Sequence, residues 1–132
     1  MSQELQIALI QSELHWENVD ANLAMFEEKI WTIKESVDLI VLPEMFTTGF
    51  SMEPQKLAEV HKTRTFKWMQ QQAAQTKAVI VGSIIAKEGT DYFNRLYAVY
   101  PDGTFQHYDK KHLFGLAGEG KDYTAGNERL VI

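Results

Sequence analysis

Asp38-Leu39-Ile40-Val41-Leu42-Pro43, followed at once by Glu44, decides how the chain is read. The apolar run has no polar alternation, which fits a strand covered on both faces rather than one with a wet side. Leu5–Ile10 (Leu-Gln-Ile-Ala-Leu-Ile) and Ala78–Ala86 (Ala-Val-Ile-Val-Gly-Ser-Ile-Ile-Ala) have the same character. Between the first two such runs, Leu23, Phe26, Ile30, Ile33 and Val37 repeat at helical spacing and make one apolar stripe. Asn18 or Asp20 can cap that helix. A second helix is predicted from Thr63 to Lys77, with Phe66, Met69 and Ala73 on one face. Strand, helix, strand, helix, strand is the order of parallel pairing through right-handed crossovers.

After Ala86 the pattern changes. Glu88-Gly89-Thr90 reads as a turn, Tyr92–Tyr100 as a strand, Pro101-Asp102-Gly103 as a hairpin turn and Thr104–Tyr108 as the returning strand. The fold class is therefore α/β (α+β), with a mixed sheet. Its helices cover one face, and the other face calls for a second sheet. Gly115–Gly126 is too rich in glycine for regular structure. Leu130-Val131-Ile132 reads as the start of a further strand.

The chain has 132 residues, enough for one domain that buries about two-thirds of its unfolded surface. A composition 45% hydrophobic and 23% charged is that of a globular protein. Its net charge of −5 argues against a general nucleic-acid binder. No apolar run reaches membrane-span length and no signal peptide opens the chain, so no membrane partner is expected and a cytoplasmic protein is the default. The absence of cysteine excludes disulfides, thiolate metal sites and a cysteine nucleophile within these residues.

Glu44 stands directly after a strand, where ligands gather in open α/β sheets. A carboxylate held there near a cation can serve as a general base, and its plain alternative is an exposed loop glutamate. Lys110 and Lys111 leave the last hairpin strand; a lysine there can stabilise an oxyanion, or the two form a solvated basic pair. His15, His61 and His107 fall at no metal-ligand spacing, so no metal and no cofactor are expected. Gly115–Asp122 nearly spells a phosphate-binding loop, but Asp122 replaces the required Ser or Thr and no helix start follows.

Leu42-Pro43-Glu44-Met45-Phe46 resembles the glutamate motif of the nitrilase (carbon–nitrogen hydrolase) superfamily, and Tyr108-Asp109-Lys110-Lys111-His112-Leu113-Phe114 resembles its lysine motif. The strands at Ile7–Gln11 and Val81–Ser83 fit in order and separation. Ala117–Glu119 and Tyr123–Asn127 are most similar to the omega-amidase branch. The resemblance implies an α-β-β-α sandwich of mixed sheets, usually dimerised, hydrolysing the side-chain amide of small oxo-dicarboxylic acid monoamides. It implies a Glu–Lys–Cys mechanism in which Glu44 is the base and Lys110 stabilises the tetrahedral intermediate. A second glutamate places the amide; Glu119 is the best match and Glu128 the weaker one. Phe46 and Phe50 either shape the acyl pocket or pack in the core.

The implied nucleophile is a cysteine downstream of the lysine motif, and this chain contains none. Residues 1–132 are therefore expected to be the N-terminal part of such a domain, about half the sandwich, inactive alone. The open inner face of that half predicts homo-oligomerisation or association with a complementary C-terminal fragment. The reading from a different class is a non-catalytic small-ligand or partner-binding domain that kept the front of the fold.

Overall fold

The computed structural model describes residues 3–114 and 122–132. Glu119 and nearly all of the phosphate-loop-like run lie outside the described residues. In chain order the elements are β1 (Ile7–Leu9), α1 (Val19–Trp31), β2 (Leu39–Val41), α2 (Pro54–Leu57), β3 (Glu59–Val60), α3 (Arg64–Thr76), β4 (Val79–Glu88), β5 (Asp91–Val99) and β6 (Phe105–Asp109). Among the described residues six strands form one mixed sheet in the order β1-β2-β4-β5-β6, with β3 paired to β4 off that path. β1, β2 and β4 are parallel, and β5 and β6 join antiparallel through the expected turns. Gly89 and Gly103 take positive φ in those turns (62° and 87°), where a side chain would be strained.

One row of side chains crosses the sheet through paired residues: Ala8, Ile40, Ile80, Val99 and Phe105. All five belong to the principal core, beneath Leu23, Phe26 and Ile30 of α1 and Phe66, Met69 and Ala73 of α3. Because strand side chains alternate, the neighbouring rows point the other way. Ile7, Leu39 and Val79 form one such row, and Leu9, Val41, Val81 and Ala98 another. Ile7 is 48% and Leu9 77% exposed. The helices thus cover one face, and the covering of both faces that the apolar runs called for is not met among the described residues.

The helices follow the sequence with shifts at their ends. Asn18, not Asp20, caps α1, its Oδ1 accepting from the Ala21 amide at 3.0 Å. Asp20 instead pairs with Arg64 at the start of α3. α1 ends at Trp31, where the Thr32 hydroxyl donates to the Lys29 carbonyl (2.6 Å). Ile33 and Val37 therefore lie beyond the helix, although both still pack on the core. α3 ends on Lys77 in the left-handed conformation. Short α2 and β3 have too few residues to show a period. The predicted strand at Leu130–Ile132 is absent; Leu130 and Ile132 instead line a hollow with Val81, Leu96 and Tyr108.

Gly82, on β4, marks where packing is tightest. A Cβ there would lie 2.8 Å from Cδ1 and Cε1 of the fully buried Phe46 ring. Its φ is ordinary for a strand, so the obstacle is steric. Gly82→Ala is expected to lose about 1–3 kcal/mol in urea unfolding. An unchanged midpoint would show that Phe46 has room to move.

Candidate active site

Glu44 is delivered by a turn that continues directly from β2. The Leu42 amide still donates to the Val81 carbonyl (2.7 Å), so the chain is held to β4 until Pro43. Ser83 of β4 then secures the turn twice: its Oγ accepts from the Met45 amide (2.9 Å) and its carbonyl from the Phe46 amide (3.2 Å). Met45 itself has φ 50° and is fully buried. A non-glycine residue in that region stores roughly 1–3 kcal/mol of strain, retained only where neighbours over-determine it. Ser83, Ile85 and Tyr123 supply that constraint.

The carboxylate meets the lysine across the sheet. Lys110 Nζ lies 3.2 Å from Glu44 Oε2, and Asn94 Nδ2 donates to the same oxygen at 2.7 Å. Oε1 has no hydrogen-bond partner among the described residues. The three side chains share a cavity of about 250 Å³ walled by Val41, Leu42, Val81, Leu96 and Tyr108. It opens on the sheet face that the helices leave bare. Lys110 Nζ also stands 5.1 Å from the centre of the Phe50 ring. Such an apolar hollow with a few convergent polar groups suits a small ligand.

Glu44, Lys110 and Phe50 are thus brought together. Phe46 is not: its ring is fully buried on the helix side of the sheet, edge-on to Phe26 at 5.6 Å and beside Trp68. Glu128 is exposed and borders a hollow with Glu88, Arg95 and His107, on the sheet face away from Glu44. Asn94 was missed in the sequence, where the one hint was a polar amide inside the run Tyr92–Tyr100; the structure buries it to 3% exposure. Ser83, hidden in an apolar run, offered less.

The turn after Glu44 is clamped from three directions. Buried Asn22 donates to the Thr47 carbonyl (2.8 Å) while bonding both backbone groups of His15. The Tyr123 hydroxyl donates to the Ser51 carbonyl (2.6 Å). Glu17 accepts from the Ser51 hydroxyl (2.8 Å) and pairs with Lys56 at 3.2 Å. Above these, Trp16 covers Gly49, whose φ is 81°.

A family model described as carbon-nitrogen hydrolase matches residues 6–130. The chain belongs to the carbon-nitrogen hydrolase family. It is 41% identical over 128 residues to the omega-amidase YafV of Yersinia enterocolitica, covering 97% of this chain and 49% of that protein. With the 2-oxoglutaramate amidase of Bacillus subtilis it shares 26% identity over 125 residues, 92% of this chain and 48% of that one. A solved CN-hydrolase superfamily protein from Xanthomonas campestris, described as carrying an arsenic adduct in its active site, superposes with a TM-score of 0.95 at 37% identity. That match covers 99% of this chain and 49% of the other. The chain spans about half the length of the curated relatives it matches.

Within this carbon-nitrogen hydrolase chain, Glu17 makes the clamp on the turn sensitive to pH. The hydrogen bond from Ser51 holds its carboxyl below the ordinary 4.5, aided by Lys56 and opposed by burial. A carboxyl lowered on folding stabilises the fold above its unfolded value, and that contribution is lost as pH falls through the folded value. The Tm of the wild type is expected to drop more steeply than that of Glu17→Gln as pH is lowered through the carboxylate range. Parallel curves would remove Glu17 from the clamp.

Proposed function

We propose that this chain supplies the base and the oxyanion-stabilising lysine of an omega-amidase that hydrolyses small oxo-dicarboxylic acid monoamides to the acid and ammonia. The observation that carries the reading is the convergence of Lys110 and Asn94 on one oxygen of Glu44. Two donors on Oε2 fix the carboxylate plane and leave Oε1 to move protons. A general base needs its proton-accepting oxygen held within reach of the proton it takes.

The chemistry follows the Glu–Lys–Cys scheme, with the thiol supplied from outside these 132 residues, which hold no cysteine. Glu44 takes the thiol proton, and the sulfur attacks the amide carbon. The carbonyl oxygen becomes an oxyanion facing the ammonium of Lys110. Protonated Glu44 gives its proton to the amide nitrogen as collapse breaks the carbon–nitrogen bond, so that nitrogen leaves as ammonia. Water then loses a proton to Glu44 and attacks the thioester, releasing the acid and restoring the thiol. Phe50 borders the acyl group, Glu119 places the amide, and Phe46 serves by packing under the turn. The names of the YafV proteins and of the 2-oxoglutaramate amidase support the substrate class.

In the full-length gene product, Glu44→Gln and Lys110→Met are each expected to lower ammonia release from 2-oxoglutaramate by about 100-fold or more, with circular dichroism unchanged. Residues 1–132 by themselves are expected to release none. Turnover by that chain, or full activity of Glu44→Gln, would overturn the scheme.

The bare face carrying Ile7 and Leu9 adds an expectation about assembly. Contiguous apolar surface of that kind favours association, either between copies or with a complementary segment. Sedimentation velocity of residues 1–132 is expected to show species larger than a monomer. A well-behaved dilute monomer would count against it.

A further inference from the structure

Arg95 is the bulkiest fully buried side chain among the described residues, at 1% exposure, and it faces away from Glu44. Its Nε donates to Asp109 Oδ1 (2.6 Å) and its Nη2 to Asp109 Oδ2 (3.0 Å), a planar two-bond fork. Nη2 also reaches Glu88 Oε2 at 2.6 Å, Nη1 lies 3.0 Å from His61 Nδ1, and the Phe93 ring is 5.1 Å away. Burial alone would pull the guanidinium down; the carboxylates of Asp109 and Glu88 outweigh it, and the group stays charged.

Arg95 and Asp109 are direct partners in the β5–β6 register. Each has a site residue as its chain neighbour: Asn94 beside Arg95, and Lys110 beside Asp109. The Lys110 amide donates to the Asn94 carbonyl (3.0 Å), so these two occupy the next step of the same ladder. Since alternate residues face opposite sides, the fork and the pair that holds Glu44 lie back to back through the sheet. Asp109 is also the last residue of β6, with a bend at Lys111. Strand ends fray unless they are tied.

We propose that the Arg95–Asp109 fork is a positioning device for the site, fixing from the far face the strand positions from which Asn94 and Lys110 reach Glu44. Its effect on rate rests on the amidase reading; its effect on Lys110 does not. Lysine at position 95 keeps the charge but not the fork, and asparagine at 109 cannot accept from both nitrogens.

The test uses the full-length gene product with Asp109→Asn, Arg95→Lys and, as a control, Glu88→Gln. Glu88 touches the same guanidinium but is 55% exposed and takes no part in the fork. The readout is the rate of Lys110 acetylation by acetic anhydride, mapped by mass spectrometry with Lys29 and Lys77 as internal references. Lys110 is expected to react several-fold faster in both fork variants and unchanged in Glu88→Gln. Ammonia release from 2-oxoglutaramate should fall about 100-fold in the fork variants, the cost of a misplaced catalytic group. Lys110 reactivity that stays constant, or that rises in step with Lys29 and Lys77, would overturn the proposal and leave the fork a stabilising contact only. If the wild type releases no ammonia while Lys110 still responds to the fork, the amidase reading fails and the positioning role stands.

Discussion

A β-strand shows alternate side chains to opposite faces, and β4, β5 and β6 use both faces for different ends. One face carries Ile80, Val99 and Phe105 into the helix-covered core; the other carries Ser83, Asn94 and Lys110 to Glu44. A slip of one residue would exchange the two sets. The same register therefore determines whether the chain folds and whether its polar groups converge. The tight fit of Gly82 against Phe46 ties β4 to the turn that presents Glu44, so packing on one face sets geometry on the other.

The site spends stability locally and regains it from its surroundings. Met45 holds a left-handed backbone immediately after Glu44, and the turn that follows has its carbonyls bound by Asn22, Tyr123 and the Glu17 amide. Those clamps come from the loop before α1, from α1 itself and from the segment after the lysine motif. Glu44 is thereby held by most of the chain, although its immediate neighbours are few.

Much of this was legible before any coordinates. Uninterrupted apolar runs located the central strands, and Gly89 and Gly103 located the turns, because backbone sterics act over a few residues. Glu44 and Lys110 each stand where a strand ends, but position left both with a plain alternative, and it was the resemblance of the motifs around them to the nitrilase superfamily that singled them out. What escaped was set by distant partners. The apolar stripe through Ile33 and Val37 overran α1, since those residues seek the core without being helical. Leu130 and Ile132 looked like a strand because residues bordering an apolar hollow beside Val81 and Leu96 are of the same types. Asn94 and Ser83 gain meaning only from the residues opposite them. Phe46 was assigned either to the acyl pocket or to the core, and its ring lies in the core.

The Glu44–Asn94 bond closes a sequence separation of 50 residues and the Glu44–Lys110 contact one of 66. Contacts of that span come late on a folding route, because the entropy of closing long loops is lost before the contact returns anything. The turn after Glu44 waits on distant partners too: Met45 on Ser83, 38 residues on, and Ser51 on Tyr123, 72 residues on. Lys110 arrives only when the second hairpin has docked on β4. The convergence on Glu44 is thus complete only with the last hairpin: a chain in which that hairpin is unformed carries the carboxylate without Lys110 beside it.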